Sequence, residues 1–159
     1  MKKILFTIAF ISLFSTVIFT QTRTDLALRR VTEQDETSRD AQGKLIKLNA
    51  QEHLARAEVY MANRQFPEAR EHWQIIVDNF YEDSTVMPKT LFGIARSYMW
   101  EREYDKAVFW FDRLAQNFPN TKDGREGLAF KGASLVRAGK NLEASETYKQ
   151  YVNLYPTGE

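Results

Sequence analysis

The chain has 159 residues, of which 43% are hydrophobic and 13% aromatic, so it can form one domain with a packed core and is not globally disordered. The formal net charge is +1, and without Lys2 and Lys3 the chain has 20 basic and 21 acidic residues. A nearly neutral chain gives no reason to expect nucleic acid or an acidic membrane surface as partner. The lack of cysteine excludes disulfides, thiolate metal sites, a cysteine nucleophile and a lipidated cysteine.

The N-terminal residues have the pattern of an export signal. Lys2 and Lys3 precede an apolar run over 4–19 in which only serine and threonine interrupt the hydrophobic residues. Such a basic start followed by an apolar run is typical of secretory signals. We predict a signal peptide over 1–22, or an uncleaved inner-membrane anchor, since no A-x-A cleavage site follows and the run is slightly shorter than the ~20 residues of a spanning helix. Both alternatives export the rest of the chain to the periplasm or cell envelope.

Residues 23–48 are polar and of mixed charge. Leu26, Leu28 and Val31 are too few to supply the a and d positions of a coiled coil. We predict a solvated tether here, helical in part.

From residue 49 onward the sequence contains three copies of one pattern. Each copy has four landmark residues, the last three of which follow the first by nine, thirteen and twenty positions, and the copies are separated by 38 and then 37 residues. A small residue among large apolar ones at fixed spacing indicates one supersecondary unit repeated three times. The landmarks are Tyr60, Ala69, Trp73 and Phe80; Tyr98, Ala107, Phe111 and Phe118; and Leu135, Ala144, Tyr148 and Tyr155.

The middle copy predicts two helices. Apolar residues recur from Leu91 to Tyr98 at i, i+3, i+4 and i+7, which is one face of a helix. After a short polar break, a second apolar face runs from Ala107 to Phe118, and Pro119 ends it. Two helices joined by so short a turn lie antiparallel. We therefore predict an all-α domain over 49–159 with paired helices at 49–63 and 67–80, 86–101 and 105–118, and 123–138 and 142–155.

The spacing resembles the tetratricopeptide repeat, whose pattern places small residues, aromatic residues and a closing proline at fixed positions. In the middle copy these residues are Ala95, Tyr98, Tyr104, Ala107, Phe111 and Pro119. The first copy has Tyr81 in place of the proline, and the third has Leu135 and Asn141 at two aromatic positions. The resemblance implies a short right-handed α-solenoid that serves as a non-catalytic scaffold for protein–protein interaction.

The repeat period of 37 to 38 residues exceeds the usual ~34, and the additional residues lie between units. This variant resembles bacterial envelope repeat proteins such as the outer-membrane barrel-assembly lipoprotein and the periplasmic partner of the Tol–Pal system. The first of these anchors through a lipidated cysteine and the second has a trimeric coiled coil, and this chain matches neither feature. The resemblance implies a peptide or helix of an envelope protein as the partner.

The resemblance also implies a binding groove, because the first helices of such repeats line the inner surface of the solenoid. Four of the residues at these positions are apolar and are expected to lie outside the packing face derived above, which a groove explains: Met61, Phe92, Met99 and Trp100. Trp100 beside Met99 is the leading candidate, with the alternative that Trp100 covers the turn between the helices. The predicted partner-binding residues are Leu54, Glu58, Met61, Phe92, Arg96, Met99, Trp100 and Arg137.

Other kinds of site are not predicted. The family's carboxylate clamp needs asparagine where this chain has Glu58, Arg96 and Ala133. His53 and His72 lie on neighbouring helices, but no third ligand stands at metal-binding spacing. The sequence has no glycine-rich phosphate loop and no Ser-His-Asp spacing. We expect no catalytic residue, no cofactor and no metal.

The third copy gives an alternative function. Repeat arrays usually close with a polar capping helix, whereas this sequence ends three residues after Pro156. We expect an exposed apolar face made by Leu135, Val136, Tyr148, Tyr151 and Leu154. A membrane-tethered assembly subunit would form homo-oligomers or dock through this face.

Overall fold

The computed structural model describes residues 25–46 and 48–156, and the chain divides into two compact units at residue 47. In the first unit, helix α1 covers 25–37 and an isolated antiparallel bridge joins Arg39 to Leu45. The Asp40 carboxylate closes the turn between them by accepting hydrogen bonds from the backbone N–H groups of Gln42 and Lys44, at 3.0 and 2.9 Å. Much of the predicted tether is therefore helix and turn.

The predicted export segment, 1–22, lies outside the described residues. Within the described ranges, no helix is long and apolar enough to cross a membrane.

The second unit consists of three helix pairs, and among its described residues there is no strand. Each helix begins and ends within one residue of its predicted bounds, so the predicted all-α helical solenoid is confirmed. The helices are α2 (Ala50–Ala62), α3 (Phe66–Asn79), α4 (Met87–Trp100), α5 (Tyr104–Asn117), α6 (Lys122–Arg137) and α7 (Asn141–Leu154).

Local sequence signals explain where the first helices begin. Asn49 and Glu52 form a capping box on α2, in which the Asn49 side chain accepts a hydrogen bond from the Glu52 N–H at 2.9 Å. Thr121 caps α6 in a similar way through the Gly124 N–H, at 3.0 Å. Pro88 stands in the first turn of α4, where its missing N–H has no helical partner to lose.

The turn inside each pair has one residue in the left-handed region. Arg64, Arg102 and Gly139 have φ values of 61°, 65° and 77°, and they occupy equivalent positions of the three copies. Only the third copy has the glycine that this conformation favours.

We expect Arg102→Gly to raise the free energy of unfolding by about 0.5–1 kcal/mol, because a residue with a side chain is strained at positive φ. Urea denaturation of the full chain measures this change. Arg102→Ala is the matched control, since it removes the same side chain but keeps the strain. Equal stabilities of the glycine and alanine variants would contradict the explanation.

The core lies where small residues allow helices to approach. Ala95, Ala107 and Phe111 are fully buried and form one cluster between α4 and α5. Between neighbouring pairs, Trp73 of α3 packs on Gly93 of α4, where a Cβ atom would lie 2.3 Å from the indole ring. Small residues therefore allow close approach both within a helix pair and between neighbouring pairs.

Candidate functional site

The first helices of the first two helix pairs, α2 and α4, line a continuous depression, which we call the α2–α4 groove. Its first part has a volume of about 420 Å³ and its second part about 280 Å³, and they share Glu58, Met61 and Arg96. The first part is also lined by Ala62, Arg64, Phe66 and Trp100, and the second by Leu54, Trp73, Lys89, Phe92, Gly93 and Asp123.

Charged groups surround the aromatic residues of this groove. The guanidinium carbon of Arg64 lies 5.6 Å from the centre of the Trp100 ring, and that of Arg96 lies 5.6 Å from the Phe92 ring. Such cation–π contacts hold the rings and the cations in defined positions. In the part of the chain that the structure describes, Glu58, Arg64 and Arg96 form no ion pair. All three groups are therefore available to a charged partner.

Asp123 stands at the far end of the groove, where burial raises the pKa of its carboxyl group above the ordinary value. The nearby Glu126 adds to this rise, while Lys89 and Lys122 oppose it. A carboxylate that has lost solvation is stabilised by a cation, so this end of the groove favours a basic group on a partner.

The structure brings six of the eight predicted groove residues together. Trp100 has 51% of its surface exposed, and Leu54 is buried in the floor. Met99 and Arg137 line neither part of the groove. The Arg137 guanidinium instead donates a hydrogen bond to the Ala133 carbonyl of its own helix, at 3.3 Å.

The expectation that Phe92 and Met99 lie off the packing face is wrong. Both pack against the buried cluster of Ala95, Ala107 and Phe111. The Phe92 ring meets that of Phe111 edge-on, with centres 5.8 Å apart. It also meets Phe130 of α6 at 5.6 Å, so a helix of the next unit completes its surroundings. The face derived from a single helix pair omits this third helix.

Arg64 and Phe66 are groove residues that the repeat pattern does not predict. Arg64 lies in the turn between α2 and α3, and Phe66 is the first residue of α3. The family pattern predicts groove residues on first helices only. The available signal was an arginine at a left-handed turn position two residues before an aromatic residue.

The two histidines, His53 and His72, are in contact with each other. Their Nδ1 atoms lie 2.9 Å apart, and both side chains are fully buried. The Leu48 backbone N–H donates to His53 Nε2 at 3.1 Å. No group of three or more potential metal ligands occurs among the described residues.

A second depression, of about 740 Å³, lies on the outer surface of the third pair, which we call the α6–α7 face. Apolar side chains stand exposed on these two helices, with Leu142 at 84% the most accessible. Leu135, expected to be exposed, is instead buried at 1% because it faces the interior of its own pair. The depression is lined by Val136, Asn141, Ala144, Ser145, Tyr148, Lys149, Val152 and Asn153.

Comparison with known proteins agrees with this architecture. Residues 89–121 match the family model of the tetratricopeptide repeat. A crystal structure of nearly identical TPR-like repeats, from a Podosopora anserina protein described as a kinesin light chain, is similar with a TM-score of 0.59 and 18% identity. The likeness covers 85% of this chain and 66% of that chain. No curated protein sequence matches this chain.

Repeats of this kind generally mediate protein–protein interaction, and their fold is typically a non-catalytic scaffold. Residues 89–121 are thus similar to the tetratricopeptide repeat, and the chain has the fold of TPR-like helical repeats.

Proposed function

We propose that this protein is a non-catalytic scaffold of the bacterial cell envelope, and that its α2–α4 groove binds a peptide or helix of a partner protein. The observation that carries the proposal is the half-exposed Trp100, which stands in a groove beside charged groups that have no ion-pair partner among the described residues.

This groove combines an anchor with orienting charges. Trp100, Met61 and Phe66 offer apolar surface that a partner side chain would cover, and tryptophan is the residue type most enriched at binding hot spots. Glu58 and Arg96 carry opposite charges, so a partner with complementary charges gains a fixed direction along the groove.

Placement in the envelope is supported by the sequence alone. The basic start and the apolar run over 4–19 favour export, and the long repeat period resembles that of envelope proteins. We propose that the chain acts in the periplasm, either released by cleavage or held at the inner membrane by this segment.

The test is cross-linking in living cells that export the full chain, from a photoreactive residue placed at Met61. Capture of periplasmic or membrane proteins is expected, and capture of cytosolic chaperones would contradict the localisation.

With the captured partner in hand, we expect Trp100→Ala to weaken binding at least tenfold, which is about 1.4 kcal/mol. Isothermal titration measures the affinity. Phe109→Ala is the control, because it removes an aromatic residue of similar exposure, 55%, on a helix outside the groove. Equal affinities of the two variants would refute binding in the groove.

A second candidate function is assembly through the α6–α7 face. The exposed row of Val136, Leu142, Tyr148, Val152 and Leu154 favours it. Under this alternative, partner capture survives Trp100→Ala and is lost when Val152 is replaced with a charged residue.

A further inference from the structure

We infer that the α6–α7 face binds an amphipathic α-helix of another protein, one that places an acidic side chain opposite Lys149. The inference rests on the second candidate function, assembly through this face, and names the chemistry of its partner.

The internal repetition shows what kind of element fits this face. Tyr148 is equivalent to Phe111 and to Trp73, at separations of 37 and 38 residues. Trp73 packs on Gly93 of α4, and Phe111 stacks on Phe130 of α6 with ring centres 5.7 Å apart. Gly93 and Phe130 are themselves equivalent, so one position of the repeat twice receives the first helix of the following unit.

Two further positions of the depression each contact the next helix in one preceding unit. Ser145 is equivalent to Arg70, which donates hydrogen bonds to Ser97 at 3.0 Å and Glu101 at 2.6 Å in the next unit. Lys149 is equivalent to Asp112, whose carboxylate lies 2.5 Å from an ammonium group on α6. Three of the residues that line the α6–α7 face, Ser145, Tyr148 and Lys149, therefore occupy positions that contact the next helix in a preceding unit.

The length of that helix can be inferred from α4 and α6, which pack on the equivalent positions of the first and second helix pairs. The helices α4 and α6 contain 14 and 16 residues, about four turns each. Leu114, the equivalent of Tyr151, approaches Gly127 so closely that a Cβ atom there would lie 2.8 Å away. The incoming helix therefore needs a small residue opposite Tyr151.

The charge of Lys149 indicates which protein supplies the helix. Asp112 pairs with Lys131 of α6, but at the equivalent position the third unit has Lys149, which forms no ion pair in the described ranges. The complementary residue is thus aspartate or glutamate where α6 has Lys131. The same position is Arg56 in α2 and Ile94 in α4, so no first helix of a second copy meets this requirement.

The experiment uses two labelled peptides that span residues 119–140 of this chain, one unchanged and one with Lys131→Glu. Each is titrated with the full chain, and fluorescence anisotropy and hydrogen exchange of α7 are recorded. We expect the Lys131→Glu peptide to bind about fivefold more tightly and to protect α7. Lys149→Glu in the protein should reverse the preference, which a purely apolar contact would not do.

Several outcomes would overturn the inference. Absence of α7 protection by either peptide, or equal affinities that Lys149→Glu leaves unchanged, removes the acidic helix as the ligand. A concentration-dependent dimer that Lys149→Glu disrupts would place a second copy on the face. Loss of the charge preference in Trp100→Ala would place the peptide in the groove instead.

The second candidate function, docking through the α6–α7 face, is tested separately by cross-linking in cells from Val152. If captured partners bind without any charge preference, docking through the α6–α7 face stands and only the inference of an acidic partner helix is refuted. No capture from this position would remove the docking function itself.

Discussion

Replacing Phe111 with alanine is expected to lower the free energy of unfolding by about 3–5 kcal/mol. The Phe111 side chain has 0% of its surface exposed and contacts Phe92 of α4 and Phe130 of α6, with ring centres 5.8 and 5.7 Å away. Removing the ring opens a cavity among three helices. Because the close contact of Ala95 and Ala107 already fixes the approach of α4 and α5, the helices have little room to close it.

The matched control is Phe109→Ala, two residues earlier on the same helix. Phe109 has 55% of its surface exposed, so its loss should change stability by no more than about 0.5 kcal/mol. Urea denaturation of the full chain, followed by circular dichroism, measures both variants. Similar losses for the two would show that the ring at 111 does not join the units as described.

The helices are predictable from local signals near their ends and from the threefold spacing of the landmarks. Asn49 before Glu52, Pro88 in a first turn and Pro119 after a second helix all act over a few residues, and the threefold pattern fixes the spacing. Contacts between units were harder to predict. The sequence pattern places Phe92 in the groove alone, because a pattern taken from one helix pair does not show that Phe130 reaches this ring from α6.

The candidate site was predictable only where the repeat pattern supplies positions. Glu58, Arg96 and Trp100 were placed in the groove by analogy with first helices, and the structure brings them together. Arg64 was missed because its position depends on a left-handed turn that carries its side chain back over Trp100. The expected exposure of Leu135 is wrong because a missing capping helix predicts an exposed end face but does not show which of its residues face the interior of the pair.

The second large effect expected is a loss of stability in mild acid, which originates in the histidine pair. His53 Nε2 accepts a hydrogen bond from the Leu48 N–H, so this nitrogen carries no proton. Neutral His53 then has its proton on Nδ1 and donates it to His72 Nδ1. Both rings are neutral in this arrangement. An additional proton breaks at least one of the two hydrogen bonds inside a fully buried site.

The sign of the pH dependence follows from this arrangement. In the unfolded chain both histidines titrate near the ordinary pKa of ~6.5, so below that pH the unfolded state binds more protons than the folded state. The stabilisation is therefore present above pH ~6.5 and is lost as the pH falls. We expect the free energy of unfolding to decrease by roughly 1–3 kcal/mol between pH 7.5 and 5.5.

Urea denaturation at the two pH values tests this expectation, and the chain offers a clean comparison because His53 and His72 are its only histidines. The double variant His53→Gln and His72→Gln should show a much smaller change between pH 7.5 and 5.5, whatever its absolute stability. Nitrogen chemical shifts of the imidazole rings in the unsubstituted protein measure the tautomers directly, with the proton on Nδ1 of His53 and on Nε2 of His72. A stability that stays constant or rises as the pH falls to 5.5 would contradict a neutral pair, because a pair that charges readily when folded does not favour the unfolded state in acid.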